Sequence, residues 1–269
     1  MLGAGAKTHA LVAIGVAIWS AGARAEDFFA GKTITLTTHS APGGQYDAYS
    51  RLMARFIGKY IPGNPSVVVV NRVGAGGLIA VNQAAGSAPR DGTFLTLVAN
   101  GLVLSQGIGA PGLRASLDEL NWIGNFSSAN GITLVSTSAG VKNIDDVRGK
   151  EVTIGSSGAG SISALLPAAH NAFAGAKFKV VQGYEGSAQM NLAIRRGEIH
   201  GRSGGAWSEL QAEFPEEVRV GSVLPLTQTG KTRDPGLPNV PLLTEIARGD
   251  ERNLAGARFV SEALSQPRS

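Results

Sequence analysis

The sequence predicts an α/β protein made of two units, each a mostly parallel sheet flanked by helices. Three observations predict it. Short β-rich runs alternate with helix-like stretches along the chain after residue 30. This alternation runs twice, once before and once after a join near 130. Glycine supplies 37 of 269 residues, about double the usual share, and it gathers where predicted strands lead into predicted helices. A second join is expected near 222, so the first unit comprises 26–130 plus 222–269 and the second 131–221.

Thr33–Thr38 alternates and is rich in β-branched residues, as a strand requires. Tyr46–Tyr60 carries Leu52, Met53, Phe56 and Ile57 on one helical stripe. Val67–Val70 is a continuous apolar run, expected of a strand buried on both faces. Gly76–Gly86 predicts a short helix and Phe94–Val98 a third strand. The second round predicts strands at Ile132–Ser136, Val152–Gly155, Phe178–Val181, Ile199–Ser203 and Val218–Val223. Between them, helices are expected from Ile144, at Ser161–Phe173, at Ser187–Arg195 and at Ala206–Glu213, with a last one at Leu242–Ala247.

Composition closes off several functions. With no cysteine there is no disulfide scaffold, thiol enzyme or cysteine-based zinc site. Residues 1–25 read as a cleavable export signal: Lys7 and His9 precede the apolar run Ala10–Trp19, and Ala23-Arg24-Ala25 suits signal cleavage. Removing Lys7 and Arg24 lowers the formal charge from +4 to +2, and no basic cluster points to nucleic acid. Gly155–Ser161 follows a strand and precedes a helix, but its G-x-x-G-x-G order is not a dinucleotide fingerprint, and there is no phosphate-loop motif. No cofactor and no metal are expected.

Four loops combine a strand end, small residues and a helix start. The first holds Ser40, Ala41, Pro42, Gly43, Gly44 and, one turn on, Asp47. The others are Gly74–Gly77, Gly155–Ser161 with Ser156, Ser157, Gly158 and Ser161, and Tyr184–Ser187. Glycine admits close backbone approach, and helix N-termini present unpaired N–H groups that attract anions. In an open α/β sheet, ligands bind beyond the carboxyl ends of the strands. The loops are therefore expected to converge on a small anion, the alternative for each being a simple tight turn. Asp47 and Glu185 read more readily as helix caps than as ligand contacts. Tyr46, Tyr184 and Trp207 are candidates for a pocket wall or for core packing. Arg202 is a candidate to face a second carboxylate, a surface salt bridge fitting as well. A serine hydrolase using Ser156, Ser157 or Ser161 with His39 or His170 remains an alternative, although no nucleophile elbow is present.

Residues 41–95 resemble the substrate-binding proteins of tripartite tricarboxylate transporters, the Bug receptors. The matching pieces are Pro42-Gly43-Gly44 with Asp47, Val69-Val70-Asn71-Arg72 with Gly74-Ala75-Gly76-Gly77, and Ala88-Pro89-Arg90-Asp91-Gly92-Thr93. Further on come Gly155-Ser156-Ser157-Gly158, Tyr184-Glu185-Gly186-Ser187, and Leu237-Pro238-Asn239-Val240-Pro241 with Glu245. The resemblance implies a periplasmic binding protein of type II-like fold, with two α/β domains, a hinge and a central cleft. It implies a monomeric, non-enzymatic receptor that holds a small organic carboxylate between Ser40–Gly44 and Ser156–Ser161. Delivery to membrane permease subunits follows from the same likeness, as does a non-binding sensory relative as an alternative. The family runs several dozen residues past its L-P-x-V-P…E segment, so a shortened first domain is expected here.

Overall fold

The structure, a computed structural model, describes residues 28–126 and 129–265. The predicted export signal lies outside them. In the first half, strand β1 (Thr33–Thr38) leads to helix α1 (Gln45–Ile57), β2 (Ser66–Asn71) to α2 (Leu78–Gly86), and β3 (Phe94–Leu97) to α3 (Gly101–Gly107). The sheet order is β2-β1-β3, all parallel, with Thr33 opposite Ser66 and Thr35 opposite Phe94.

The second half opens with β4 (Gly131–Ser136) and α4 (Ile144–Gly149), then β5 (Val152–Ser156) and α5 (Ile162–Ala174), β6 (Phe178–Gln182) and α6 (Ser187–Arg195), and β7 (Gly201–Ser203). Helices α7 (Trp207–Glu213) and α8 (Pro215–Arg219) follow, then β8 (Val223–Thr229), α9 (Leu243–Ile246) and α10 (Glu251–Ser265). The order is β6-β5-β7-β4-β8; β5 is parallel to β6 and β7, while β4 is antiparallel to β7 and β8. The trio β6-β5-β7 repeats the winding of β2-β1-β3. Both halves thus point the carboxyl ends of three parallel strands at helix starts.

Alternation in β4 builds the second half's core on both faces of its sheet. Ile132 and Leu134 pack with Met190, Ile194, Leu210 and Phe214; Val135 packs on the other face with Ile144, Val147, Ile154 and Phe178. A third cluster joins Leu104 of α3 and Leu166 and Ala169 of α5 to Ala257 and Val260 of α10. Helix α10 therefore lies against both halves.

Several expectations need correction. The run Val67–Val70 is not buried on both faces, because β2 is an edge strand and Val68 is 49% exposed. Of the predicted strand at 218–223, Val218 and Arg219 end helix α8, 220–222 turn, and only Val223 is strand; the helix is opened by Pro215, whose fixed φ and missing N–H suit a first helical position. The true strand, β8, pairs along β4, so 223–229 belongs to the second sheet rather than to the first unit. Helices α3 and α10 were not predicted.

Candidate functional site

All six parallel strands end at one cavity of about 70 Å³. His39 and Ser40 come from the end of β1, Gly74 and Gly76 from that of β2, and Ala99 and Gly101 from that of β3. From the second half come Ser157 and Ser161 after β5, Glu185 to Ser187 after β6, and Gly204 and Gly205 after β7. Matching ends follow from the matching winding of the two sheets.

The halves meet there backbone to backbone. A Cβ on Gly76 would lie 2.4 Å from the Ser161 nitrogen, and one on Gly158 would lie 2.6 Å from the Gly76 nitrogen. Both glycines have positive φ, +68° and +137°, so no other residue fits without strain. The Ala41 N–H donates to the Glu185 carbonyl across the same gap at 3.4 Å.

Helix starts line the cavity. Gln45 opens α1, Ile162 opens α5 and Ser187 opens α6, and none of the three helices has a side-chain cap. On α4, away from the cavity, Asn143 and Asp146 form a complete capping box. The difference is marked at Ser161. It occupies the N-cap of α5, where serine ordinarily accepts a helix-start N–H. Its Oγ instead donates to the Gly158 carbonyl at 2.7 Å and lies 2.7 Å from Ser163 Oγ and 3.2 Å from Ser156 Oγ.

Asp47 shapes the opposite loop. Its carboxylate accepts the Gly43 N–H at 2.9 Å, Arg51 Nε at 2.9 Å and Asn71 Nδ2 at 2.8 Å, and Asn71 also donates to the Ser40 carbonyl at 2.7 Å. Burial acts to raise the Asp47 pKa, but these donors outweigh it and hold the carboxyl below its ordinary range.

Arg202, only 3% exposed, lines the cavity from β7 and is ion-paired with Glu213 of α7. Its Nε is buried without a partner. His39 also lines the cavity; its ring meets Tyr46 edge-on at 4.2 Å and its Nδ1 is buried and unpartnered. Burial lowers the His39 pKa to about 4, so the ring is neutral at pH 7.

The expected site residues therefore divide. Ser40, Ser157, Ser161 and Arg202 line the cavity. Ala41, Pro42, Gly43, Gly44, Asp47, Ser156 and Gly158 do not; they shape the loops behind it. Gly44 is one example, since a Cβ there would lie 2.1 Å from Ser40 Oγ. Tyr184 is not on the wall either; it packs against the second half's core cluster. Gln45 and Ser163, with Ser187 of the fourth expected loop and Met190, line the cavity without having been offered as ligand-binding residues. Their place in the first turn of a helix after a glycine loop was the available signal for the first three. Among the described residues no group of three or more acidic, histidine or cysteine side chains is placed to hold a metal. Among the described residues no hydrogen bond joins a histidine to Ser156, Ser157 or Ser161, and His170 engages the Leu166 carbonyl and Thr227 Oγ1 at 2.7 Å each.

Residues 54–260 match the family described as "Tripartite tricarboxylate transporter family receptor". BugT of Bordetella pertussis is 26% identical over 250 residues, 89% of this chain and 74% of its own length. A UPF0065 protein from Pseudomonas is 33% identical over 102 residues, 37% of this chain, and the match spans only 30% of that relative's length. Among solved structures, MatC from Rhodopseudomonas palustris with bound malate superposes with a TM-score of 0.64 at 21% identity, over 88% of this chain and 85% of MatC. The periplasmic binding protein BugD gives 0.61 at 18% identity, over 87% and 82%. The fold is thus that of periplasmic binding proteins, with an α/β unit on each side of a cleft.

Proposed function

The chain belongs to the tripartite tricarboxylate transporter receptor family, and from that premise we propose that it captures a small organic carboxylate in the cavity between its halves. One observation carries the reading: the uncapped starts of α1, α5 and α6 open into the same cavity. An anion at a partly buried helix start is stabilised by up to about 2 kcal/mol, and several starts act together. Neutral donors hold it without the desolvation penalty of a second buried charge pair. Ser157 supplies a hydroxyl, Ser40, Ser161 and Ser163 supply theirs by turning from Ala41, Gly158 and Ser156, and Arg202 supplies the fixed cation toward the far end of the ligand. MatC, of the same fold, was solved with malate, a carboxylate of this kind.

Delivery to a tripartite-type permease, and export through residues 1–25, complete the reading. Thermal-shift titration against a panel of mono-, di- and tricarboxylates, malate included, tests the capture step. A ligand at about 100 times its Kd adds about 2.7 kcal/mol of stability. Stabilisation by at least one acid is expected; stabilisation by none across the panel at millimolar concentration overturns it.

A further inference from the structure

At the edge of the cavity the halves meet a second time, side chain to side chain. The carboxylate of Glu209, in the first turn of α7, accepts hydrogen bonds from Gln45 Nε2 and Tyr49 Oη, both on α1 of the first half. Glu209 Oε2 also accepts the Ala206 N–H at 2.9 Å, which fixes the carboxylate at the start of its own helix. Tyr49 stacks on Phe126, with ring centroids 5.9 Å apart and planes at 21°. Phe126 lies in the stretch that carries the chain from the first sheet to the second. Burial, and next the bond to Glu209, push the Tyr49 phenol up to about 12, so it remains a donor throughout the physiological range.

Both sides are rigidly mounted. Trp207 and Leu210, flanking Glu209, are buried in the second half's core, while Asp47 and Ser50, flanking Tyr49, are buried in the first half. The bonds therefore form when the two halves come together and break when they part. Gln45 also lines the cavity, whereas Glu209 and Tyr49 do not.

We propose that Glu209, through Gln45 and Tyr49, is a clasp that holds the cleft shut and sets how firmly the cavity retains its contents. It is a positioning residue and touches no ligand. Its effect on affinity is arithmetic: apparent Kd rises as the fraction of closed protein falls. That part rests on the carboxylate reading; closure itself does not.

The test is done first without ligand. Spin labels at Lys59→Cys and Glu216→Cys, in a chain otherwise free of cysteine, report the distance between the halves by pulsed dipolar spectroscopy. The parent is expected to give one narrow distribution. Tyr49→Phe and Glu209→Ala are each expected to raise a longer-distance population several-fold. The double variant should open no further than Glu209→Ala, because both changes remove the same contact. Unchanged distributions in folded Tyr49→Phe overturn the clasp. Glu209→Ala also loses the Ala206 contact, so if it does not fold, Tyr49→Phe decides alone. Malate is then titrated: a several-fold weaker Kd with faster release in Tyr49→Phe supports the link to retention. Opening in a protein that binds no acid supports the clasp while rejecting the carboxylate reading.

Discussion

The two loops that face each other across the cleft are held in place by opposite chemistry. In the first half, 40–47 is organised by a charge: Asp47 gathers Gly43, Arg51 and Asn71 around one buried carboxylate. In the second half, 156–163 is organised by the hydroxyls of Ser156, Ser161 and Ser163, with no charge among them. An anion between these two loops has a negative charge behind the first, offset by Arg51, and neutral dipoles behind the second, while Arg202 and Glu185 on neighbouring strand ends of the second half add one charge of each sign to the wall. Coulomb energies in a partly desolvated cleft are several times those in water. The grip on an anion therefore falls mainly on the second half, and the first half serves as a shaped lid.

The sharpest way to break that comparison is at the glycines. Gly76→Ala places a methyl 2.4 Å from the Ser161 nitrogen at φ +68°. Overpacking and strain together cost about 2–5 kcal/mol, which translates to roughly 30- to 5,000-fold weaker malate binding if all of it opposes closure. Gly43→Ala is the control: φ is +80°, but nothing lies within 4 Å of the added Cβ. It should lower stability by about 1–2 kcal/mol through backbone strain and leave the affinity almost unchanged. Calorimetric titration of both variants settles it. Equal losses of affinity would show that strain in the lid, not contact between the halves, is what matters.

The charge asymmetry is tested next. Ser161→Ala removes the hydroxyl that sits at the start of α5 and should weaken malate binding roughly 5- to 15-fold, the loss of about 1–1.5 kcal/mol of hydrogen bonding. Asp47→Asn should do the reverse of what its position near the cleft suggests. It loses charge-assisted bonds to Gly43 and Arg51, and stability should fall by about 1–3 kcal/mol. Anion affinity should hold or improve, because the negative charge is gone. If Asp47→Asn weakens malate more than Ser161→Ala does, the second half is not the stronger grip.

Much of this arrangement was legible in the sequence, for local reasons. Ser187–Arg195 was predicted to the residue, because Gly186 interrupts the chain before it and an apolar stripe of Met190, Ala193 and Ile194 fixes its buried face. That glycine loops would converge followed from their recurrence at strand ends. What the sequence hid is long-range. Whether β8 joins the second sheet depends on pairing with β4, nearly a hundred residues earlier. Val67–Val70 carries the same β-branched pattern whether central or at an edge. Asp47 and Ser156 sit in the expected loops, but which side chains reach the cavity and which brace the backbone depends on a few ångströms of side-chain direction. Glu209 had half of a local signal, a glutamate in the first helical turn whose carboxylate accepts the Ala206 N–H, with no acceptor on the Ala206 side chain to complete a capping box; its two partners on α1 had none.

The smallest expected effect compares the halves through their histidines. Each half hides one: His39 at the cleft wall and His170 in the core between Leu166 and Thr227. Burial lowers both from 6.5 to about 4. A base whose folded pKa is depressed binds fewer protons than the unfolded chain, so stability falls as pH drops from about 6.5 toward 4 and levels off below that. Asp47, also depressed, contributes stability above the ordinary carboxylate range and loses it only as pH falls through its lower folded value. Acid should thus weaken the protein in two stages, histidines first. His170→Gln should lower the melting temperature at pH 7.5 yet flatten its fall between pH 6.5 and 4.5, with the slope reduced to roughly half if the two histidines contribute equally. An unaltered slope in a folded His170→Gln protein would assign the whole first stage to His39, and with it the cleft rather than the core.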